Sequence, residues 1–272
     1  MKIIVKNADY RNSNLGVSKT DSVISSLDNY MTRLTSKGYT VTSQDEARFL
    51  NLASRLDDTG LSSKIKRMYL FVGNENSQSL DFLSDSNNLI YGGDALARDF
   101  TPDGFKVKIG YTPATRAYAD PSFKIDSLEF AFNIGIKDKG AFIGAQDFVG
   151  STGVNAEKVM LISPVNNRYQ SITYISSSLS IVTDTAIAKT LTLTHTSLGS
   201  QTHIYKNDND YFTSTASGLG LDIVQPIYIG KVSNSTYNSF DVTYQHFLIT
   251  DYLTSEEVVL LNGIMNDYNS TR

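Results

Sequence analysis

Hydrophobic positions recur along this chain with two different periods, and the change falls near Ile65. Upstream, Val23, Ile24, Leu27, Tyr30, Met31 and Leu34 repeat at helical spacing, and Gly38 stands where such a helix would end. A second helix is expected from Ser43, with Glu46 completing a capping box, and it carries Ala47, Leu50, Ala53 and Leu56 as far as Gly60. A lone helix with one apolar stripe is marginal in water. The pair must therefore be covered by each other, by the rest of the chain or by a second copy.

Downstream the period is two. In 127–137, Leu128, Phe130, Phe132, Ile134 and Ile136 point one way, and Ser127, Glu129, Ala131, Asn133 and Gly135 point the other. Further strands are expected over 68–72, 105–111, 141–145, 158–163 and 169–175. In 190–196, Leu191, Leu193 and His195 alternate with threonines, a turn follows at 197–200, and 201–206 returns. After 227–231 and a strand at 239–249, Thr254 and Glu257 form a capping box, with Leu253 stapled to Val258. Val258, Leu261, Met265 and Tyr268 are the buried stripe of a last helix. The pattern predicts an antiparallel sandwich preceded by two helices and followed by one. It divides the chain into 1–64, a strand plus two helices for attachment or oligomerisation, and 65–272, the β domain.

Three motifs in 188–272 resemble the end of a laminin-G-like (concanavalin-A-like) jelly roll: Ile204-Tyr205-Lys206-Asn207, Tyr228-Ile229-Gly230-Lys231 and Leu253-Thr254-Ser255-Glu256-Glu257. The resemblance implies a mainly β fold, a jelly-roll sandwich with an N-terminal helical module and a short C-terminal helix. Segments 3–10, 14–16 and 65–73 resemble virion proteins of tailed, crAss-like phages of gut Bacteroidales. That second resemblance implies a structural protein of the phage particle, a head fibre or similar appendage. Such a protein is made in the host cytoplasm and is partnered with itself as a dimer or trimer and with other virion proteins. The alternative is a lectin-like adhesin that binds host or mucus glycans.

Composition narrows the functional classes. Of the 272 residues, 40% are hydrophobic and 19% charged, as in ordinary folded domains, and a net charge of −4 argues against nucleic acid as a partner. Residues 1–40 carry six Lys/Arg against three Asp, and 193–272 carry three against eight Asp/Glu, so a charged mount would orient the chain. Cysteine is absent, which removes disulfides and thiolate metal sites. No signal peptide and no membrane span are expected.

Candidate chemistry is sparse. His195 and His203 would face each other if the hairpin paired them, but no carboxylate supplies a third ligand. Asp208 and Asp210 give an oxygen-rich loop that lacks the glycine and distal glutamate of a calcium hand, and a turn needs the same residues. No metal or other cofactor is expected. Glu129 has no carboxylate partner on its strand, and neither a nucleophile elbow nor a phosphate loop occurs, so the expectation is a protein that is not an enzyme. A sugar site needs an aromatic ring. Trp is absent and Tyr numbers sixteen, with Tyr111, Tyr118 and Tyr237 in polar surroundings as the glycan-binding candidates. For self-association the candidates are Val23, Ile24, Leu27, Tyr30, Met31 and Leu34, which cover two adjoining helix faces.

Overall fold

The computed structural model describes residues 23–108, 110–112, 115, 117–125, 129–137, 149–152, 158–165, 168–173, 180–183, 191–198, 201–206, 209–215, 225–230 and 241–272. Helices α1 (Val23–Ser36) and α2 (Ser43–Asp58) come first, then β1 (Ile65–Tyr69) and the one-turn α3 (Glu75–Gln78). Strands β2 (Ile90–Gly92), β3 (Arg98–Thr101), β4 (Gly104–Val107), β5 (Tyr118–Asp120), β6 (Lys124–Ile125) and β7 (Phe130–Lys137) follow. Next are β8 (Val149–Thr152), β9 (Lys158–Val165), β10 (Arg168–Thr173), β11 (Ser180–Thr183), β12 (Leu191–Leu198), β13 (Gln201–Lys206) and β14 (Asn209–Thr215). The last elements are β15 (Gln225–Pro226), β16 (Tyr228–Ile229), β17 (Val242–Asp251) and α4 (Ser255–Ser270). The opening strand expected at 2–5 and the one at 141–145 lie outside the described residues.

Two antiparallel sheets carry the fold. One has the order β14-β13-β12-β7-β17-β4-β3, with β1 also on β17; the other runs β11-β10-β9-β8-β16-β5-β2. Strand β7 shows that both faces of the first sheet are buried. Phe130, Phe132, Ile134 and Ile136 share one buried layer with Ala119 and Ile229 of the second sheet and with Ile227 just before β16. Ala131, on the other face, belongs to a second layer with Leu27, Tyr30 and Leu34 of α1, Phe49 and Leu52 of α2, and Leu261 and Met265 of α4. Sheet packs on sheet on one side and helices pack on sheet on the other.

This second layer accounts for the apolar stripe of α1. Val23, Leu27, Tyr30 and Leu34 are buried, and Ile24 and Met31 pack against the same cluster. Tyr30 meets Phe49 edge-on at 5.5 Å and Phe82 at 4.5 Å. The residues singled out for self-association are thus largely covered by the chain's own α2 and sheet. The carboxylate of Asp57, at the end of α2, accepts from the Val23 and Ile24 N–H groups at 3.0 and 3.1 Å and so caps α1.

The cap of α2 sits one residue earlier than the Ser43–Glu46 pairing: Thr42 and Asp45 form the box. Asp45 also accepts the Tyr39 hydroxyl at 2.9 Å, a tie to the loop before the helix that Glu46 does not make. At α4 the Thr254–Glu257 box forms as expected, and Leu253 and Val258 are both buried.

The threonines of β12 depart from expectation in their surroundings. Thr192, Thr194 and Thr196 are buried beneath α4, not turned to water. Asn133 Nδ2 donates to Thr194 Oγ1 and to Asn262 Oδ1, both at 2.7 Å, and Thr194 Oγ1 donates to Asn262 Oδ1 at 2.6 Å. His246 Nε2 donates to Asn133 Oδ1 at 2.6 Å, and its Nδ1 accepts from Asn269 Nδ2 at 3.0 Å. A polar row whose members satisfy one another joins sheet and helix, which is how polar side chains tolerate full burial.

Candidate functional site

The described end of the seven-stranded sheet, β2-β5-β16, presents a coherent outward face. In β5 the alternation puts Ala119 into the core and leaves Tyr118 and Asp120 half-buried on the other side. In β16, Ile229 joins the core, as does Ile227 just before it, and Tyr228 turns outward. Strand β2 sets Ile90, 61% exposed, opposite Asp120 and Gly92 opposite Tyr118. The β16–β5 pairing of Ile229 with Ala119 brings Tyr228 across from Asp120, and Gly150 of β8 lies on the far side of Tyr228. One carboxylate therefore stands between an exposed isoleucine and a tyrosine, with a second tyrosine two residues along its own strand.

The two rings lie with centroids 5.4 Å apart at an interplanar angle of 83°. A Cβ on Gly92 would overlap the ring end and hydroxyl of Tyr118, so the missing side chain allows Tyr118 to lie across β2. Burial first, then the nearby Asp120 carboxylate and Tyr118, raises the Tyr228 phenol above its ordinary value. Asp120 Oδ1 accepts from Ser122 N at 2.7 Å, and among the described residues the carboxylate has no ion-pair partner. Ser122 has φ 51°, a left-handed conformation that turns its N–H back onto Asp120. Replacing Gly92 by Ala is expected to push Tyr118 aside at little cost, since the overlap is with the far end of a side chain. The nuclear Overhauser contacts between Tyr118 and Tyr228 should vanish while stability changes by less than about 1 kcal/mol.

Tyr118 is the one sequence-derived glycan candidate in this group. Tyr111 packs its ring on the core and donates its hydroxyl to Leu96 O at 2.8 Å, a corner-fixing role. Tyr237 and Asp208 lie outside the described residues. Asp210 is a strand residue of β14 paired with Tyr205, not part of a loop, which removes half of the calcium-loop pattern. His195 pairs with Ile204 and His203 with Thr196, so the register puts the two histidines on opposite sheet faces and corrects the facing-pair geometry. Among the described residues no group of three or more His, Asp or Glu side chains could hold a metal ion. Nor is any described helix long and apolar enough to cross a membrane. Asp120 and Tyr228 were missed, although the alternation Ile227-Tyr228-Ile229 marks Tyr228 as the outward residue.

A groove of about 260 Å³ lies between α2 and α4, lined in part by Arg48, Asn51, Arg55, Ile264, Asp267 and Tyr268. Its cations are already engaged: Arg48 pairs with Asp45 at 2.5 Å and Arg55 with Asp267 at 2.6 Å.

No protein-family model and no curated protein sequence matches the chain. Solved structures do. The chain is similar to Trypanosoma rangeli sialidase at 14% identity and TM-score 0.57, over 90% of this chain and 38% of the sialidase. It is similar to domain 4 of AbnA, a GH43 extracellular arabinanase from Geobacillus stearothermophilus, in complex with arabinotriose. That likeness has 13% identity and TM-score 0.51, over 73% of this chain and 98% of the domain. The receptor-binding domain of botulinum neurotoxin type G matches at 14% identity and TM-score 0.50, over 75% of this chain and 52% of that one. The chain spans well under half the length of the sialidase structures it resembles. These likenesses are of fold.

They nevertheless correct two expectations. The similar structures named above are a sialidase, an arabinanase domain and a toxin's receptor-binding domain, and these likenesses overturn the head-fibre reading. The exclusion of enzymes falls as well, since the fold occurs within chains named as a sialidase and an arabinanase.

Proposed function

We propose that this chain is a carbohydrate-recognition domain of lectin-like, jelly-roll type, of the kind carried by carbohydrate-active proteins. The observation that carries the reading is the match to nearly the whole of the arabinanase domain, a structure holding arabinotriose. A similar domain in complex with a sugar is a reason to look for a sugar site here; the site itself is argued from this chain's own residues. Tyr118 and Tyr228 offer rings for the C–H face of a sugar, and Asp120 accepts hydroxyl hydrogen bonds beside them.

Glycan-array screening followed by titration calorimetry tests this. Binding is expected, and Tyr118→Ala or Tyr228→Ala should weaken it by about tenfold to a hundredfold, as removal of a central aromatic contact does. A chain that binds no glycan on a broad array, or variants that bind as the parent does, would rule out this site. Incubating the parent chain with each bound glycan and analysing the products shows whether recognition is coupled to cleavage.

A further inference from the structure

We propose that the Asp120–Tyr118–Tyr228 site selects a cationic sugar, an amino sugar whose amine is free, over neutral and acidic ones; this rests on the glycan-recognition reading above. Four surface carboxylates show the usual arrangement, a cation held beside the charge. Asp85 is held by Arg33 at 3.0 Å, Asp99 by Lys108 at 3.0 Å, Asp103 by Lys137 at 2.7 Å and Asp251 by Lys66 at 2.7 Å. Asp120 is half-buried and, among the described residues, accepts from the Ser122 N–H and pairs with no cation. A carboxylate taken partly out of water, with no described cation beside it, favours a cationic ligand over a neutral or acidic one.

The surroundings favour an ammonium in particular. Two phenol rings set at 83° make two walls of a corner, and aromatic faces attract cations lying within about 6 Å of their centroids. Tyr228 stands across from Asp120 and Tyr118 shares its strand face, so carboxylate and ring quadrupoles act on the same small volume. Ile90, on the fourth side, supplies apolar contact for the sugar's carbon frame and no competing charge. A neutral hydroxyl would use the carboxylate alone, and a sugar acid would be repelled by it.

Three ligands are titrated into the full chain at a pH that keeps the amine protonated: a glucosamine tetramer with free amines, its N-acetylated counterpart, and arabinotriose. The free-amine tetramer is expected to bind tighter than either other ligand by about tenfold or more, with the preference shrinking as salt is raised. Asp120→Asn should abolish the preference while the melting temperature holds. If that variant does not fold, the salt dependence of the parent decides alone. Equal or tighter binding of the N-acetylated tetramer or arabinotriose overturns the amino-sugar inference and leaves glycan recognition standing. No binding of any saccharide overturns both.

Discussion

Replacing Asn133 by Leu is expected to cost about 3–5 kcal/mol of folding stability, because it removes one side chain from three hydrogen bonds in a dry interface. Asn133 is fully buried and accepts from His246 while donating to Thr194 and Asn262. Leucine has similar bulk, so little cavity forms. What remains is a buried imidazole N–H with no acceptor, and Thr194 and Asn262 each one donor short. Orphaned buried groups cost about 1–3 kcal/mol apiece. The melting temperature should fall by on the order of 10 °C in calorimetry. The double replacement Asn133→Leu with His246→Leu should recover part of the loss, since it removes the stranded donor together with its acceptor. A single variant within 2 °C or so of the parent would show that water fills the gap, and the account of a dry polar row would be wrong.

Acid should destabilise the same interface through His246. Burial, with Arg272 nearby, pushes its imidazole down to about 3 from 6.5, against the opposing effect of the hydrogen bond that a protonated ring would donate to Asn269. The unfolded chain takes up a proton as pH falls through 6.5, whereas the native chain does not until pH approaches 3. Stability contributed at neutral pH is therefore lost across that window, at up to about 1.4 kcal/mol for each pH unit. Asp81 acts in the opposite sense. Burial raises it to about 6, so the native carboxyl binds its proton before the unfolded one does, and stability rises as pH falls from above 6 toward 3.8. The comparison that isolates the histidine is parent against His246→Gln, in urea titrations at a series of pH values, because Asp81 contributes equally to both. The parent is expected to show the steeper loss below pH 6.5; parallel profiles would mean the imidazole protonates without cost.

Local patterns explain which parts of this structure were legible from residues alone. The β7 alternation, the β12–β13 hairpin and the Thr254–Glu257 box depend on neighbours in sequence, and each is found as expected. The α2 cap is one residue off because Thr42-Ser43 and Asp45-Glu46 offer two equivalent boxes, and contact with Tyr39 separates them. The threonines of β12 read as a half-buried strand's polar face because α4, whose Asn262 and Asn266 receive them, comes much later in the chain. For the same reason the sequence could offer Tyr118 as a sugar candidate but not its grouping with Asp120 and Tyr228. Strand β5 meets β16 only by a long-range pairing that no local period encodes. The virion reading drew in part on segments 3–10 and 14–16, which lie outside the described residues, and the fold likenesses point elsewhere.

Strand β17 is paired with β7 along one edge and with both β4 and β1 along the other. A strand translated so late in the chain thus occupies the middle of its sheet. During synthesis β1, β4 and β7 cannot reach this shared neighbour until residue 251 has left the ribosome, and until then each has an open hydrogen-bonding edge. Closure by such distant partners is slow compared with helix or hairpin formation. The nascent chain should accordingly depend on chaperone protection for longer than its size suggests. Products released before β17 is made should aggregate instead of persisting as a smaller folded domain.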